Sequence, residues 1–385
     1  MSRNVVIFCD GTGNQFGNRN SNVVKLFSAA VRDPLQQLCH YDPGVGTFGL
    51  REALFEWQKV PAKIFGLAFG WGITRNVEEA YAFLMRNYQP GDRIFIFGFS
   101  RGAFTARAIA GMVHAMGLMY PQHENLMEYA TRLFQKVPKG ELEQSEFFGI
   151  QQRFRQQFSR DCKIHFLGLW DTVKTVGWFG SPVSFPYTLN NPSVFTVRHA
   201  LSIDERRCFF RQNLWSALKG QNVKQVWFAG VHSDVGGGYP EVESGLAKIS
   251  LEWMAQEAMA AGLALVESEL QSVLGSGSGA GVYAQPDVDA RQHESLMKVW
   301  WLAEYLPRRF QDPRKDFAVT WRFPLLQWRE LGKRRFIRPE GSAVHQSVLD
   351  RMQAQPDYLP DNLPADLPIE PWHASIATPE VYRES

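Results

Sequence analysis

Residues 94–107 read IFIFGFSRGAFTAR. Four apolar residues lead into a glycine, a serine and a second glycine, and small residues then recur at helical spacing. The pattern is strand, sharp turn, helix, with Ser100 at the turn. So tight a turn strains the serine backbone, and Gly98 and Gly102 remove the side chains that would clash there. The helix that follows aims partial positive charge at the serine. The Arg101 backbone N–H stands where a developing oxyanion needs a donor. G-x-S-x-G also occurs by chance, so a glycine-punctuated turn without chemistry is the competing reading. The rest of the chain decides, by supplying or withholding a base, an acid and a second oxyanion donor.

Working outward, Val5 to Cys9, Ile164 to Leu169 and Val226 to Val231 are further short apolar runs, and QQLCHYDPG is a weaker one. Runs apolar on both faces suit strands covered on both sides. Helical patterns lie between them: TRNVEEAYAFLMRNY (74–88), GAFTARAIAGMVHAMG (102–117) and SGLAKISLEWMAQEAMAAG (244–262). The alternation predicts an α/β fold with a mostly parallel sheet flanked by helices. Functional loops in such a sheet sit at the carboxyl ends of strands. The four loops in question read DGTGN, GFSRGA, WDTVKTVG and HSDVGGGYPE, and each carries reactive residue types.

A serine nucleophile needs a histidine base and a carboxylate to orient it. Among nine histidines, His232 lies just beyond an apolar strand and before three glycines. His345 is the rival and His373 a weaker one. Asp171 ends the strand KIHFLGLWD, and the chain order Ser, Asp, His is that of α/β-hydrolases. Asp234, two residues from His232, is the alternative acid and becomes the better one if His345 is the base. DGTGN follows the first strand, so Gly11 or Thr12 is the candidate second oxyanion donor. Asp10 holds that loop or serves the site directly. A phosphate cradle is disfavoured, because the loop lacks the G-x-x-x-x-G-K-[ST] pattern.

The chain has 385 residues and a formal net charge of +2, which argues against a nucleic-acid partner. It has no apolar run of 18 residues and no signal-peptide pattern, so a cytoplasmic location in the producing cell is expected. Cys9, Cys39, Cys162 and Cys208 show no zinc or disulfide spacing and read as small buried hydrophobes. The core is expected over 1–262. Residues 263–385 are expected as a helical cap or extension packed on it, with one continuous domain as the alternative. GSGSGAG (275–281) reads as a flexible linker or loop. Residues 291–340 hold twelve Lys or Arg against six Asp or Glu, with Trp300, Trp301, Trp321 and Trp328 among them.

Taken together, FCDGTGN, YDPGVGT, NVEEAYAFLMRNYQPGDRIFIFGFSRGAFTAR, GLWDTV, RHALSIDERR, VWFAGVHSDVGGGY and VHQSVLDR resemble the catalytic-domain family of type VI secretion phospholipase effectors, a branch of the α/β-hydrolases. The resemblance runs from residue 7 to about 351. It implies an α/β-hydrolase core with a triad of Ser100, Asp171 and His232, agreeing with the choice made from the residues. It also implies hydrolysis of phospholipid acyl esters, delivery by a type VI-like machine, and a secretion-apparatus or immunity protein as partner. Trp178, Phe179 and Phe185, after Asp171, are expected to line the substrate cleft, with EWQKVPAKIFGLAFGWGI (56–73) as a second aromatic stretch. The basic, Trp-rich stretch 291–340 is expected to contact anionic headgroups. No cofactor or metal is expected. Three rival readings stand: a non-lipid cytoplasmic esterase, a metal-assisted phosphoesterase using Asp10, Asp171, His232 and Asp234, and a non-enzymatic binding module.

Overall fold

Strand β1 (Asn4–Cys9) is apolar on both faces. Val5, Ile7 and Cys9 point into one layer, and Val6 and Phe8 into the other. Such a strand needs cover above and below, which a parallel sheet obtains from its crossover helices. The computed structural model describes residues 2–11, 17, 19–44, 62–136, 141–173, 185–297, 300, 301, 304, 305, 308–312, 318–322 and 331–372. Within them β1 belongs to an eight-stranded sheet with β2 (Gln37–Asp42), β3 (Arg93–Phe99), β4 (Ile164–Trp170), β5 (Val194–Ser202), β6 (Asn222–Phe228), β7 (Ala343–His345) and β8 (Ile369–Glu370). The order is β8-β7-β6-β5-β4-β3-β1-β2, and every neighbouring pair is parallel.

The helices are α1 (Asn22–Ala29), α2 (Ala62–Asn87), α3 (Arg101–Met116), α4 (Met127–Gln135), α5 (Glu141–Phe158), α6 (His232–Gly236), α7 (Gly245–Ala260), α8 (Glu267–Val273) and α9 (Gln346–Ala354). Val77, Tyr81 and Leu84 of α2 join Ile109 and Val113 of α3 in the core on one face of the sheet. Leu26 of α1, Trp253 and Met254 of α7 and Leu270 of α8 fill the other. Among the described residues no helix is long and apolar enough to cross a membrane. The expected helix at 74–88 begins earlier, at Ala62. It thus takes in part of the aromatic stretch 56–73, whose residues 56–61 lie outside the described residues.

The strand order places the site. From β1 the chain moves to β2 on one side, then returns to β3 on the other. The loops leaving β1 and β3 start from adjacent strand ends and run to opposite sides, the position at which open α/β sheets bind ligands. Ser100 stands at that position.

Strand β5, VFTVRHALS, breaks the apolar pattern with Thr196, Arg198 and His199. It is buried regardless, because Arg198 is paired with Glu257 and donates to Asn222 O at 3.1 Å. After Gly262 the chain is not only helical. It adds β7 and β8 to the main sheet, and Arg308–Asp312 pairs with Ala318–Arg322 in an antiparallel ribbon. In GSGSGAG, Gly279 packs against α8, since a Cβ there would lie 1.9 Å from Ser272 O, whereas Gly277 and Gly281 face open space. Cys9, Cys162 and Cys208 are buried and Cys39 is half-buried, all as free thiols.

Candidate active site

Ser100 follows β3 and is the N-cap of α3, with φ 58° and ψ −118°. A positive φ at a non-glycine residue costs of order 1–3 kcal/mol and persists only where the surroundings impose it. Here both flanking glycines do so. A Cβ at Gly98 would fall 2.5 Å from Gly102 O. At Gly102 it would fall 2.2 Å from Cys9 O and 2.4 Å from Asp10 O. Gly102 thus lets the start of α3 press against the loop leaving β1. Ser100 N–H donates to Trp170 O at 3.0 Å, which ties the turn to the end of β4.

Asp171 is the next residue along β4 and also has positive φ, 40°. It is fully buried. Its Oδ2 lies 2.5 Å from His232 Nδ1. A carboxylate only accepts, so Nδ1 carries the proton and Nε2 is left as an acceptor. Ser202 N–H and Oγ–H donate to the same carboxylate at 3.0 and 3.2 Å. Arg335 spans it with two bonds, Nη1 to Oδ1 and Nη2 to Oδ2, the latter at 2.9 Å. Burial alone would raise the Asp171 pKa. The Arg335 charge and the His232 hydrogen bond overcome it and hold the carboxyl well below the usual carboxylate range.

His232 opens α6, one residue past the N-cap Val231. Its ring stacks on Phe99 at 4.7 Å, so the imidazole lies against the residue that precedes Ser100. Phe210 packs edge-on from another side at 4.9 Å. Gly236 makes the stacking feasible, since a Cβ there would meet the Phe99 ring at 1.8 Å. Burial lowers the His232 pKa, against the opposing pull of Asp171, which favours the neutral form a general base needs. The His232 backbone N–H donates to Glu205 Oε2 at 3.2 Å. Glu205 is itself gripped by Arg207 Nε and Nη2 at 2.9 and 2.8 Å. Despite burial, Arg207 brings that carboxyl down to about 2.

The remaining sequence candidates fall in different places. Asp10 is buried and bonds its own loop: Gly11 N–H donates to Oδ1 at 2.6 Å and Tyr41 O–H to Oδ2 at 2.9 Å. The Gly11 amide is therefore engaged by Asp10. Thr12, Trp178, Phe179, Trp328 and His373 lie outside the described residues. Phe185 is buried against Phe104 and Phe134. His345 is the N-cap of α9, where its Nδ1 accepts from Ser347 N–H at 3.3 Å, and it stacks on Phe228. Asp234 caps the His232 turn, accepting from Val231 N–H at 3.0 Å. Asp171 and His232 thus pair with each other, while Asp10 and Asp234 are engaged elsewhere. Among the described residues no three His, Cys, Asp or Glu side chains gather to hold a metal ion.

Sequence reading overlooked Ser202, Glu205, Arg207, His293 and Arg335. The first three fall within RHALSIDERR (198–207), where no local pattern gives them a role. His293 follows no apolar strand, so nothing local in the sequence marks it. Its Nδ1 lies 2.7 Å from Asp234 Oδ1 and its Nε2 2.8 Å from Glu243 Oε2. The Asp234 bond, outweighing burial, raises its pKa. A raised folded-state pKa gives stability that is fully present below the unfolded value and lost as pH rises through the folded value. Thermal unfolding of wild type and His293→Gln against pH is expected to show a stability gap that closes as pH rises above the ordinary histidine range. A gap that widens there would contradict the assignment.

A parallel sheet with helices on both faces, and a strained serine between β3 and α3, define an α/β-hydrolase-like protein. The sequence profile of the family described as "T6SS, Phospholipase effector Tle1-like, catalytic domain" matches residues 3–257, and the chain belongs to that family. It is also 35% identical over 222 residues to the uncharacterised protein YEL023C of Saccharomyces cerevisiae, covering 54% of this chain and 32% of that one. An uncharacterised protein from Pseudomonas aeruginosa has a solved structure with TM-score 0.36 and 19% identity, covering 69% of this chain and 46% of that one. A Tle1 effector bound to the VgrG spike of the type 6 secretion system gives TM-score 0.37 and 21% identity, over 64% of this chain and 53% of that one. The chain spans about a third of the curated relative's length and about half of each solved chain.

Proposed function

We propose that this chain is a serine hydrolase that cleaves carboxylic esters, phospholipid acyl esters foremost, through an acyl-enzyme. The observation that carries the reading is the 2.5 Å Asp171–His232 contact set against Phe99, directly beside the strained Ser100. His232 Nε2 takes the Ser100 proton as Oγ attacks the ester carbonyl. Asp171 keeps the imidazole in the needed tautomer and stabilises its cation. The Arg101 N–H donates to the tetrahedral oxyanion, with a second donor from the loop after β1. His232 then protonates the leaving alcohol, and water releases the acid by the reverse sequence.

Family membership supports a phospholipid as substrate and delivery by a type VI secretion machine, with a spike or immunity protein as partner. A rim beside the site supports contact with a membrane. Trp301, beside Gly332, and Phe336 are exposed there. Arg206, Lys333 and Arg334 line a cleft of about 710 Å³ next to them. Phe210 links rim to base, touching Trp300 at 5.4 Å and His232 at 4.9 Å. Aromatic and basic side chains together suit an anionic interface.

Product analysis after incubation with mixed phospholipid vesicles tests the substrate. Fatty acid and lysophospholipid are expected with wild type and absent with Ser100→Ala. Turnover of short soluble esters without lipid products would favour the non-lipid esterase instead. Each basic residue contributes about 1 kcal/mol, roughly fivefold, to binding at an anionic surface. Lys333→Glu with Trp301→Asp is therefore expected to cut vesicle turnover by on the order of tenfold or more, with a far smaller loss on a soluble ester. Equal losses on both substrates would remove the rim from the account.

A further inference from the structure

Arg335 lies 164 residues beyond Asp171 in the chain and outside the stretch 3–257 that the family profile matches. Its side chain and that of Asp171 are nevertheless both 0% exposed. Nη1 bonds Asp171 Oδ1 and donates to Ser202 Oγ at 2.8 Å. Nη2 donates to Asp171 Oδ2 at 2.9 Å, and Nε to Phe210 O at 3.0 Å. The guanidinium is thus fixed at three sides and lies flat along the carboxylate that holds the base. Phe210, which it anchors, is the ring packed against His232.

A well-packed apolar group at such a position is often as stabilising as a buried ion pair. What it cannot do is hold the Asp171 carboxylate in one rotamer and share its charge. Asp171 Oδ2 serves three donors at once: His232 Nδ1, Ser202 Oγ and Arg335 Nη2. A lone buried carboxylate would pull strongly on the imidazolium form. A cation across the same oxygens takes up part of that charge. The other charged or titratable groups nearby are Glu205 at the His232 backbone, Arg207 behind Glu205, and His199. His199 accepts from Thr172 N–H at 3.2 Å and is held neutral by burial and by Arg107.

We propose that Arg335 is a positioning residue for the hydrolysis inferred above: it fixes the rotamer and charge of Asp171 and, by sharing that charge, keeps His232 a neutral base. Residues beyond the matched catalytic domain thereby complete its active site.

The test compares the full chain with R335M and R335K. NMR titration of the His232 ring is read beside the pH profile of kcat/KM for a soluble ester. In R335M the His232 titration and the acid limb are expected to move to higher pH by about one unit. Loss of an outer-shell partner is expected to lower kcat on the order of 10- to 100-fold while KM changes little. R335K keeps the cation but loses the fork, so it should restore the acid limb and recover only part of kcat. An unchanged His232 titration in R335M, or wild-type kcat in R335K, overturns the proposal. If R335M does not fold, R335K carries the test, since it leaves no unpaired buried carboxylate. The titration needs no turnover. An inactive chain in which R335M still shifts His232 would keep this inference and sink the hydrolase reading.

Discussion

Ser100→Ala is expected to lower ester turnover by on the order of 10⁴- to 10⁶-fold, the loss seen when a nucleophile acting as a unit with its base is removed. Covalent labelling by a fluorophosphonate should vanish with it. The fold should survive, because Ser100 is 7% exposed and its backbone N–H bond to Trp170 O does not involve the side chain. A companion variant separates chemistry from strain. Ser100→Gly relieves φ 58° and is expected to raise stability by about 1 kcal/mol while losing activity equally. Retained turnover in Ser100→Ala, with protein of normal thermal stability, would end the nucleophile assignment.

Asp171→Ala is expected to fail in two ways at once. It removes the group that orients His232, a loss of about 10⁴-fold in kcat. It also strands the Arg335 guanidinium in a fully buried position. Breaking a buried pair by removing one partner typically costs about 3–5 kcal/mol. Chemical denaturation should show that loss in Asp171→Ala, and Asp171→Ala with Arg335→Met should recover much of the stability but none of the activity. A single variant as stable as wild type would mean that water or another group satisfies Arg335 in its place.

Most of the sheet was legible because its central strands are apolar on both faces. β1, β3, β4 and β6 follow from that pattern, and β2 follows more weakly. β5 was hidden by Arg198 and His199, which are buried only because Glu257, Asn222 and Arg107 satisfy them from afar. β7 and β8 are three and two residues long, too short to carry a period. GSGSGAG reads as a linker or loop from its composition; contact with α8 packs Gly279, while Gly277 and Gly281 face open space.

Within the site, the sequence by itself determined the residue types that a local motif can specify. Gly98, Ser100 and Gly102 belong to one turn, and their roles follow from steric rules acting over five residues. Asp171 and His232 were reached because each ends or follows an apolar strand, and parallel strands deliver their ends to one edge. Tertiary structure alone decided what surrounds them. It placed His345 at a helix cap, gave Asp234 to the His232 turn and to His293, turned the Gly11 amide onto Asp10, and brought Arg335 across the sheet edge to Asp171. A bond between a buried carboxylate and a guanidinium 164 residues away leaves no periodic trace, because nothing local in GKRRF distinguishes the arginine that is buried from those that meet solvent.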